Sequence, residues 1–211
     1  MYLEHPLQVD EPMKAEQGSD EALMVRLMGG DAPAFDEIYQ RYSGRIRTFV
    51  FRFIGSREAA EDLTQEVFLK VYRNPRAFDP RKRFLTWIFA VARNACIDFL
   101  RLKKLPVVSL GGSEDDDHRG PQIENPNSSS PMEEALGREL ERKMQEVLAT
   151  LSRKLREVFV LCAVQGLSYE EAASVVGCPV KTISSRLSRA RDRFFQGFSR
   201  YLDDGPATSR R

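Results

Sequence analysis

Apolar side chains recur every three to four positions along most of this chain, and the alternation that marks strands is nearly absent, so helices are expected throughout. The spacing predicts helices over about Asp20 to Met28, Ala32 to Ile54, Arg57 to Arg73 and Phe84 to Lys104, with Asp31 and Ser56 as N-caps. From Leu105 to Pro131 the periodicity stops. That stretch holds Gly111-Gly112, the acidic run Glu114-Asp115-Asp116-Asp117, three prolines after it and Ser128-Ser129-Ser130, which together predict a flexible linker. Periodicity then resumes, with helices expected near Met132 to Ala149, Arg153 to Val164, Tyr169 to Val176 and Val180 to Tyr201. Ser168 and Glu171 are spaced as a capping box, and Gly177-Cys178-Pro179 stops one helix and starts the next, giving helix, tight turn, helix.

The expected fold class is therefore all-α: two small helical domains joined by a flexible acidic linker, the C-terminal one a helix-turn-helix. The boundaries expected are a flexible N-terminal extension over 1–19, a first domain over 20–104, the linker over 105–131, a second domain over 132–202 and a flexible tail over 203–211. A length of 211 residues with 42% hydrophobic content allows two modest cores.

Charge adds what periodicity leaves out. The formal net of +1 looks neutral, but residues 70–104 hold ten Lys/Arg against Asp79 and Asp98, and residues 181–200 hold six against Asp192. Residues 105–135 carry seven acidic side chains and one Arg. Two cationic helical blocks on either side of an anionic tether suit one long polyanion gripped twice.

Other classes lose ground on composition. The first nineteen residues have no apolar run and no basic transit pattern, and the longest apolar runs, such as Val158 to Val164, fall far short of a membrane span. A cytoplasmic protein with no membrane span is expected. Cys96, Cys162 and Cys178 lie in apolar helical surroundings, which favours reduced, buried thiols; with no CxxC and only His5 and His118, no zinc site is expected. There is no GxxxxGK, GxSxG or HExxH, so neither an enzyme nor a cofactor is expected.

Three surfaces carry candidate chemistry. In the last helix, at about 100° per residue, Ile183, Leu187, Ala190, Phe194 and Phe198 share one arc, while Lys181, Thr182, Ser185 and Arg189 share another, flanked by Arg186 and Arg193. Taken alone, that second arc reads as a solvated basic face. Behind a capped helix and a three-residue turn, hydroxyl and cationic groups at the start of such a helix suit entry into the major groove.

In the helix from Phe84, the apolar residues Trp87, Ile88, Phe89, Val91, Ala95, Cys96 and Phe99 wrap most of the circumference, leaving a polar arc with Thr86, Arg93, Asn94, Arg101 and Lys104. The loop before it, Asn74 to Arg83, mixes Phe78 with Arg81, Lys82 and Arg83. Rings that stack on unpaired bases and cations that neutralise the backbone suit a single strand. The helix before that loop exposes Asp62, Gln65, Glu66, Leu69 and Arg73 opposite Ala60, Leu63, Val67 and Val71, an acidic face with one apolar residue that suits a protein partner better than DNA.

At these residues the chain resembles a known family. Ala60-Glu61-Asp62-Leu63-Thr64-Gln65-Glu66-Val67-Phe68-Leu69-Lys70-Val71-Tyr72, then Phe84-Leu85-Thr86-Trp87 and Ala92-Arg93-Asn94-Ala95-Cys96-Ile97-Asp98, is similar to the second region of bacterial RNA polymerase sigma factors of the extracytoplasmic-function group. Leu167-Ser168-Tyr169-Glu170-Glu171-Ala172-Ala173 and Thr182-Ile183-Ser184-Ser185-Arg186-Leu187-Ser188-Arg189-Ala190-Arg191 resemble that group's fourth region. The likeness covers roughly residues 20–104 and 133–202, with no room for the third domain of larger sigma factors.

The resemblance implies a sigma factor that binds core RNA polymerase and directs promoter-specific initiation, with no covalent catalysis. By motif, Asp62, Gln65, Glu66 and Leu69 would meet the polymerase clamp helices. Phe78, Arg81, Lys82, Arg83, Arg93, Asn94 and Arg101 would melt and read the minus-ten element as single strand. Lys181, Thr182, Ser184, Ser185, Arg186 and Arg189 would read the minus-thirty-five element as duplex, Ser184 standing where the family often carries a basic residue. An anti-sigma factor is a further partner implied. The alternative, a free-standing helix-turn-helix regulator, accounts for residues 133–202 but gives the first domain's acidic face and basic loop no purpose.

Overall fold

The computed structural model describes residues 18–104 and 131–204, and among these the regular structure is helical. The expected N-terminal extension up to residue 17, the linker over 105–130 with Glu114 to Asp117, and the tail from 205 lie outside the described residues, as do His5 and His118.

Four helices build the first domain: α1 (Asp20–Met28), α2 (Ala32–Ile54), α3 (Arg57–Arg73) and α4 (Phe84–Lys104). A short 3-10 turn, Pro75–Ala77, lies in the loop before α4. The long helix α2 is the spine. Ile38, Tyr42, Ile46, Phe49, Val50 and Phe53 recur along it at helical spacing and are buried. Leu23, Met24 and Leu27 of α1, Leu63, Val67 and Val71 of α3, and Ile88, Phe89 and Ala92 of α4 share their core. Phe49 stacks on Phe53 with centroids 5.8 Å apart and meets Phe89 edge-on at 5.4 Å, geometry worth about 0.5–1.5 kcal/mol per pair beyond area burial.

Polar contacts fix how the helices meet. The hydroxyl of Tyr42 donates to Asp20, and Arg41 donates to the same carboxylate at 2.9 Å. The amide of Phe84 donates to Glu21 Oε1 at 2.8 Å, so α1 supplies a partner for the first turn of α4. Ser56 caps α3 as expected, accepting from Ala59 N at 3.2 Å. Asp31 stands at the N-cap position of α2 but makes no capping bond; its carboxylate takes Arg26 Nε at 2.7 Å instead, because a guanidinium offers a charged donor where the cap offers a neutral one.

The second domain holds α5 (Pro131–Thr150), α6 (Arg153–Phe159), α7 (Tyr169–Val176) and α8 (Val180–Asp204). The single helix expected over Arg153 to Val164 is corrected. After Phe159 the chain widens into a π turn, Val160–Val164. Gln165 N donates to Val160 O at 2.9 Å and Leu167 N to Leu161 O at 3.0 Å; the wider turn keeps Val160 and Leu161 buried while Gly166, at φ +74°, turns the chain so that Leu167 is buried too.

The Ser168–Glu171 capping box forms in full, with Glu171 N donating to Ser168 Oγ at 3.1 Å and Ser168 N to Glu171 Oε2 at 2.8 Å. Gly177, in the left-handed region at φ +72°, ends α7, and α8 begins three residues later. Ile183, Leu187, Ala190 and Phe194 of α8 are buried, Phe194 stacking on Phe159 at 4.6 Å. At Gly197 a Cβ would lie 2.9 Å from Val147 Cγ1, so only glycine permits this approach of α5 to α8.

The domains are docked. Their buried apolar residues form one continuous cluster, with α4 packed against α7, and α2 against α6 and the π turn. Cys96 is fully buried, and burial next to Glu157 pushes its thiol up; Cys162 is half-buried, its thiol pushed up to about 11 by desolvation. Both shifts disfavour thiolate.

Candidate nucleic-acid interface

The helix-turn-helix presents the polar arc of α8 outward. Buried Ile183 and Leu187 hold one side of α8 on the core, which leaves Lys181, Ser184, Ser185 and Arg189 exposed and Thr182 and Arg186 half-buried on the other. Ser185 Oγ donates back to Thr182 O at 3.1 Å, and Arg189 Nε donates to Ser185 O at 3.1 Å, so two of these side chains lie along their own helix. All six expected residues fall within the first three turns. Hydroxyls and cations at the front of an exposed helix can address base edges and phosphates together.

The exposed face expected on α3 is also present. Asp62, Gln65, Glu66, Leu69 and Arg73 are exposed, while Ala60, Leu63, Val67 and Val71 are buried. Glu66 pairs with Lys70 at 2.6 Å, a surface pair of i,i+4 spacing. Leu69 continues into exposed Tyr72 and Tyr39, whose rings pack on Phe35 and Phe68, so the acidic face borders an aromatic patch. Apolar anchors beside charge suit a protein partner.

The loop and α4 are arranged differently from expectation at one residue. Phe78 is only 2% exposed, its ring 5.7 Å from Phe84 and 5.3 Å from Trp87. Burial within this aromatic trio removes the ring as a stacking platform in this conformation. It anchors the loop instead, and Arg81, Lys82 and Arg83 follow it into solvent. Arg81 forks onto Asp79, Nε to Oδ1 at 3.0 Å and Nη2 to Oδ2 at 3.1 Å, which holds the Asp79 carboxyl below the usual carboxylate range. Arg101 lies 3.7 Å from Asp98, and Asn94 is exposed.

Two of the expected strand-reading cations are engaged by the second domain. Arg93 donates to Glu157 of α6, whose side chain is 5% exposed, and Arg83 donates to Glu171 Oε1 at 2.6 Å. Glu171 thus serves two ends, its other oxygen completing the cap of α7. Further polar contacts cross the same boundary. Arg52 approaches Glu141 and Gln145 at 3.4 Å, Arg45 donates to Gln165 O at 2.9 Å, and Arg156 donates to Phe53 O at 3.1 Å. Desolvation lowers the Arg52 and Arg156 guanidinium pKa values, though both stay charged near neutrality.

None of Glu157, Glu141 or Arg52 was singled out by sequence reasoning. Glu157 left a signal. At about 100° per residue it falls between Val160 and Leu161, so toward the C-terminal side of its turn it faces apolar neighbours, where a buried carboxylate demands a cation.

Comparison with known proteins fits this layout. The family model for Sigma-70 region 2 matches residues 38–105, and that for Sigma-70 region 4 matches residues 141–194. The chain is 32% identical over 179 residues to an ECF RNA polymerase sigma-E factor of Haemophilus influenzae, spanning 84% of this chain and 94% of that protein. It is 34% identical over 182 residues to an RNA polymerase sigma-H factor of Pseudomonas aeruginosa, spanning 83% and 92%. An ECF RNA polymerase sigma-E factor of Escherichia coli K12 is 30% identical over 184 residues, spanning 84% and 93%.

Among solved structures, CnrH in complex with the cytosolic domain of CnrY aligns with a TM-score of 0.63 at 24% identity, covering 89% of this chain and 99% of that one. The sigma factor RpoE in complex with the anti-sigma factor NepR from Bartonella quintana aligns at 0.58 and 23% identity, covering 78% and 96%. At these identities the two structures speak to fold alone.

Proposed function

Since this chain belongs to the extracytoplasmic-function group of the sigma-70 family and directs promoter-specific transcription initiation, we propose that it divides the task between three surfaces. The exposed face of α3, with Asp62, Gln65, Glu66 and Leu69, binds core RNA polymerase. The arc of α8, with Lys181, Thr182, Ser184, Ser185, Arg186 and Arg189, reads the minus-thirty-five element as duplex. The loop cations Arg81, Lys82 and Arg83, with Arg93, Asn94 and Arg101 of α4, capture the melted minus-ten strand. Phe78 supports that loop from the core.

The observation that carries the reading is the placement of the α8 arc. Its polar groups are exposed or half-buried at the front of the second helix of a helix-turn-helix, while Ile183, Leu187, Ala190 and Phe194 are committed to the core. That is the presentation a major-groove reader needs. The acidic α3 face, which has no use in DNA binding, supports a protein partner on the first domain. An anti-sigma factor is proposed as a further partner of this chain, and the Bartonella quintana protein of the same fold is one seen in complex with such a factor, NepR.

The chemistry is binding and strand separation. No bond is made or broken by the chain, and its place of work is the cytoplasm, where polymerase and promoter are. No described helix is long and apolar enough to cross a membrane. Run-off transcription with purified core enzyme on genomic fragments tests the proposal: discrete transcripts that appear only when the chain is added are expected. Sequence-selective duplex binding without added transcripts would instead make it a free-standing regulator.

A further inference from the structure

Four ion pairs that cross between the domains among the described residues share one polarity. In Arg52–Glu141, Arg57–Glu141, Arg83–Glu171 and Arg93–Glu157 the cation belongs to the first domain and the carboxylate to the second. Two of those cations are the ones assigned above to the melted strand. A carboxylate presents two oxygens and a delocalised negative charge to a guanidinium, as a phosphate does. Glu157 and Glu171 therefore hold Arg93 and Arg83 by the groups that a DNA backbone would use.

From this arrangement we infer that the second domain is an internal competitor for the melted strand: the closed chain cannot grip single-stranded DNA with Arg93 and Arg83 until the domains part. The inference rests on the assignment of α4 and its loop to the minus-ten strand. The closed form leaves other surfaces open. Asp62, Gln65, Glu66 and Leu69 on α3 remain exposed, as do Lys181, Ser184, Ser185 and Arg189 on α8. Docking on core polymerase and on duplex can thus precede opening, and single-strand capture must follow it.

The contact carries costs as well as gains. Beside the apolar packing of α4 on α7 and of α2 on α6, polar links cross it, two of them from guanidinium groups to backbone oxygens, and Arg52 Nε and Arg156 Nε are buried with no hydrogen-bond partner among the described residues. Each such orphaned group is a penalty that the closed state carries. Removing one member of a buried pair leaves the other charge uncompensated, so Arg93 without a carboxylate at 157 favours exposure to solvent or to phosphate.

The test uses the full chain carrying Glu157→Gln and Glu171→Gln. Glutamine is accepted at the third position of a capping box, so the second change removes charge while keeping the α7 cap. Small-angle scattering of the free variant should give a larger radius of gyration than wild type. Its affinity for a fluorescein-labelled random-sequence single-stranded oligodeoxynucleotide pool should rise about tenfold, as expected when a mostly closed population becomes mostly competent. An Asp36→Asn, Glu37→Gln control carries the same change in net charge within the first domain, where Glu37 pairs with Arg26 and Arg41, and should alter neither reading appreciably.

An unchanged radius would overturn the latch, and an expanded chain with unchanged single-strand affinity would overturn the competition. If neither wild type nor an expanded variant binds single strand, the minus-ten assignment of α4 fails, while the scattering still decides closure. Should the double variant unfold, the closed state can be locked instead. A chain with Cys162→Ser, Cys178→Ser, Arg83→Cys and Glu171→Cys, joined by a cleavable bis-maleimide, should lose single-strand binding and regain it on cleavage; equal binding before and after cleavage would reject the inference.

Discussion

On α8, Lys181, Arg186 and Arg189 have no carboxylate partner among the described residues, whereas on α4 and its loop Arg81, Arg83, Arg93 and Arg101 each sit against one. The two faces have similar composition and opposite readiness. A duplex offers its phosphates and base edges to any approaching surface, so its reader gains by waiting exposed. A single strand exists only after melting, and cations left open before then would take the phosphates of any duplex. On the assignments proposed above, internal carboxylates give the α4 face a competitor that a melted strand must displace.

The largest expected effect tests whether the two halves are separable at all. Phe49 is fully buried at the centre of the first core, so Phe49→Ala should destabilise that domain by about 3–5 kcal/mol. In a denaturant titration followed by near-ultraviolet signals and by proteolysis of α8, the first domain should lose structure earlier while α6 to α8 persist. A common shift of both would mean that the halves fold as one unit, and the comparison of independent readers would lapse.

Next comes the protein-facing surface. Asp62→Ala with Leu69→Ala removes an exposed charge and an exposed apolar anchor from one face of α3, and should weaken core-polymerase binding by about 2–5 kcal/mol with thermal stability unchanged. Titration against core enzyme measures it. Wild-type affinity would take the polymerase contact away from α3.

On the open reader, Lys181→Ala and Arg186→Ala should each reduce affinity for the upstream duplex element by about 1–3 kcal/mol if the lost contact is to a base, and spare core binding. Promoter variants at each base pair then show which contacts carry sequence. Uniform loss across all sequences would assign both cations to phosphate.

The smallest effect sharpens the contrast between the faces. Alanine at Arg81, Lys82 or Asn94 should slow initiation on duplex promoters and be partly rescued on a premelted bubble, since these groups act only on exposed strand. The α8 variants should gain no such rescue. Equal defects of the α4 and α8 sets on both templates would erase the distinction between a waiting reader and a gated one.

Much of this protein was legible in the order of its residues, because local rules report local facts. Helical spacing located the eight α-helices of the described residues, α6 apart from its π end, and assigned Ile183, Leu187, Ala190 and Phe194 to the core and the α3 acidic face to solvent. Ser168 and Glu171 announced their cap, and Gly177 its turn. What periodicity cannot report is the partner across a boundary. A polar arc bearing Arg93 reads as a solvated or nucleic-acid face until α6 is known to bring Glu157 against it. Asp31 satisfied the spacing rule for a cap, yet the proximity of Arg26 redirected its carboxylate. The ring of Phe78 fits stacking on bases by type, and only the three-dimensional gathering of Phe84 and Trp87 commits it to the core. The π turn after Phe159 likewise answers to where Leu167 must be buried. Residue type and spacing therefore determined the helices, their caps and their faces, which depend on neighbours within a few positions. Tertiary structure alone decided which charged groups meet, because Arg93 and Glu157, 64 residues apart in sequence, are joined by the packing of two domains.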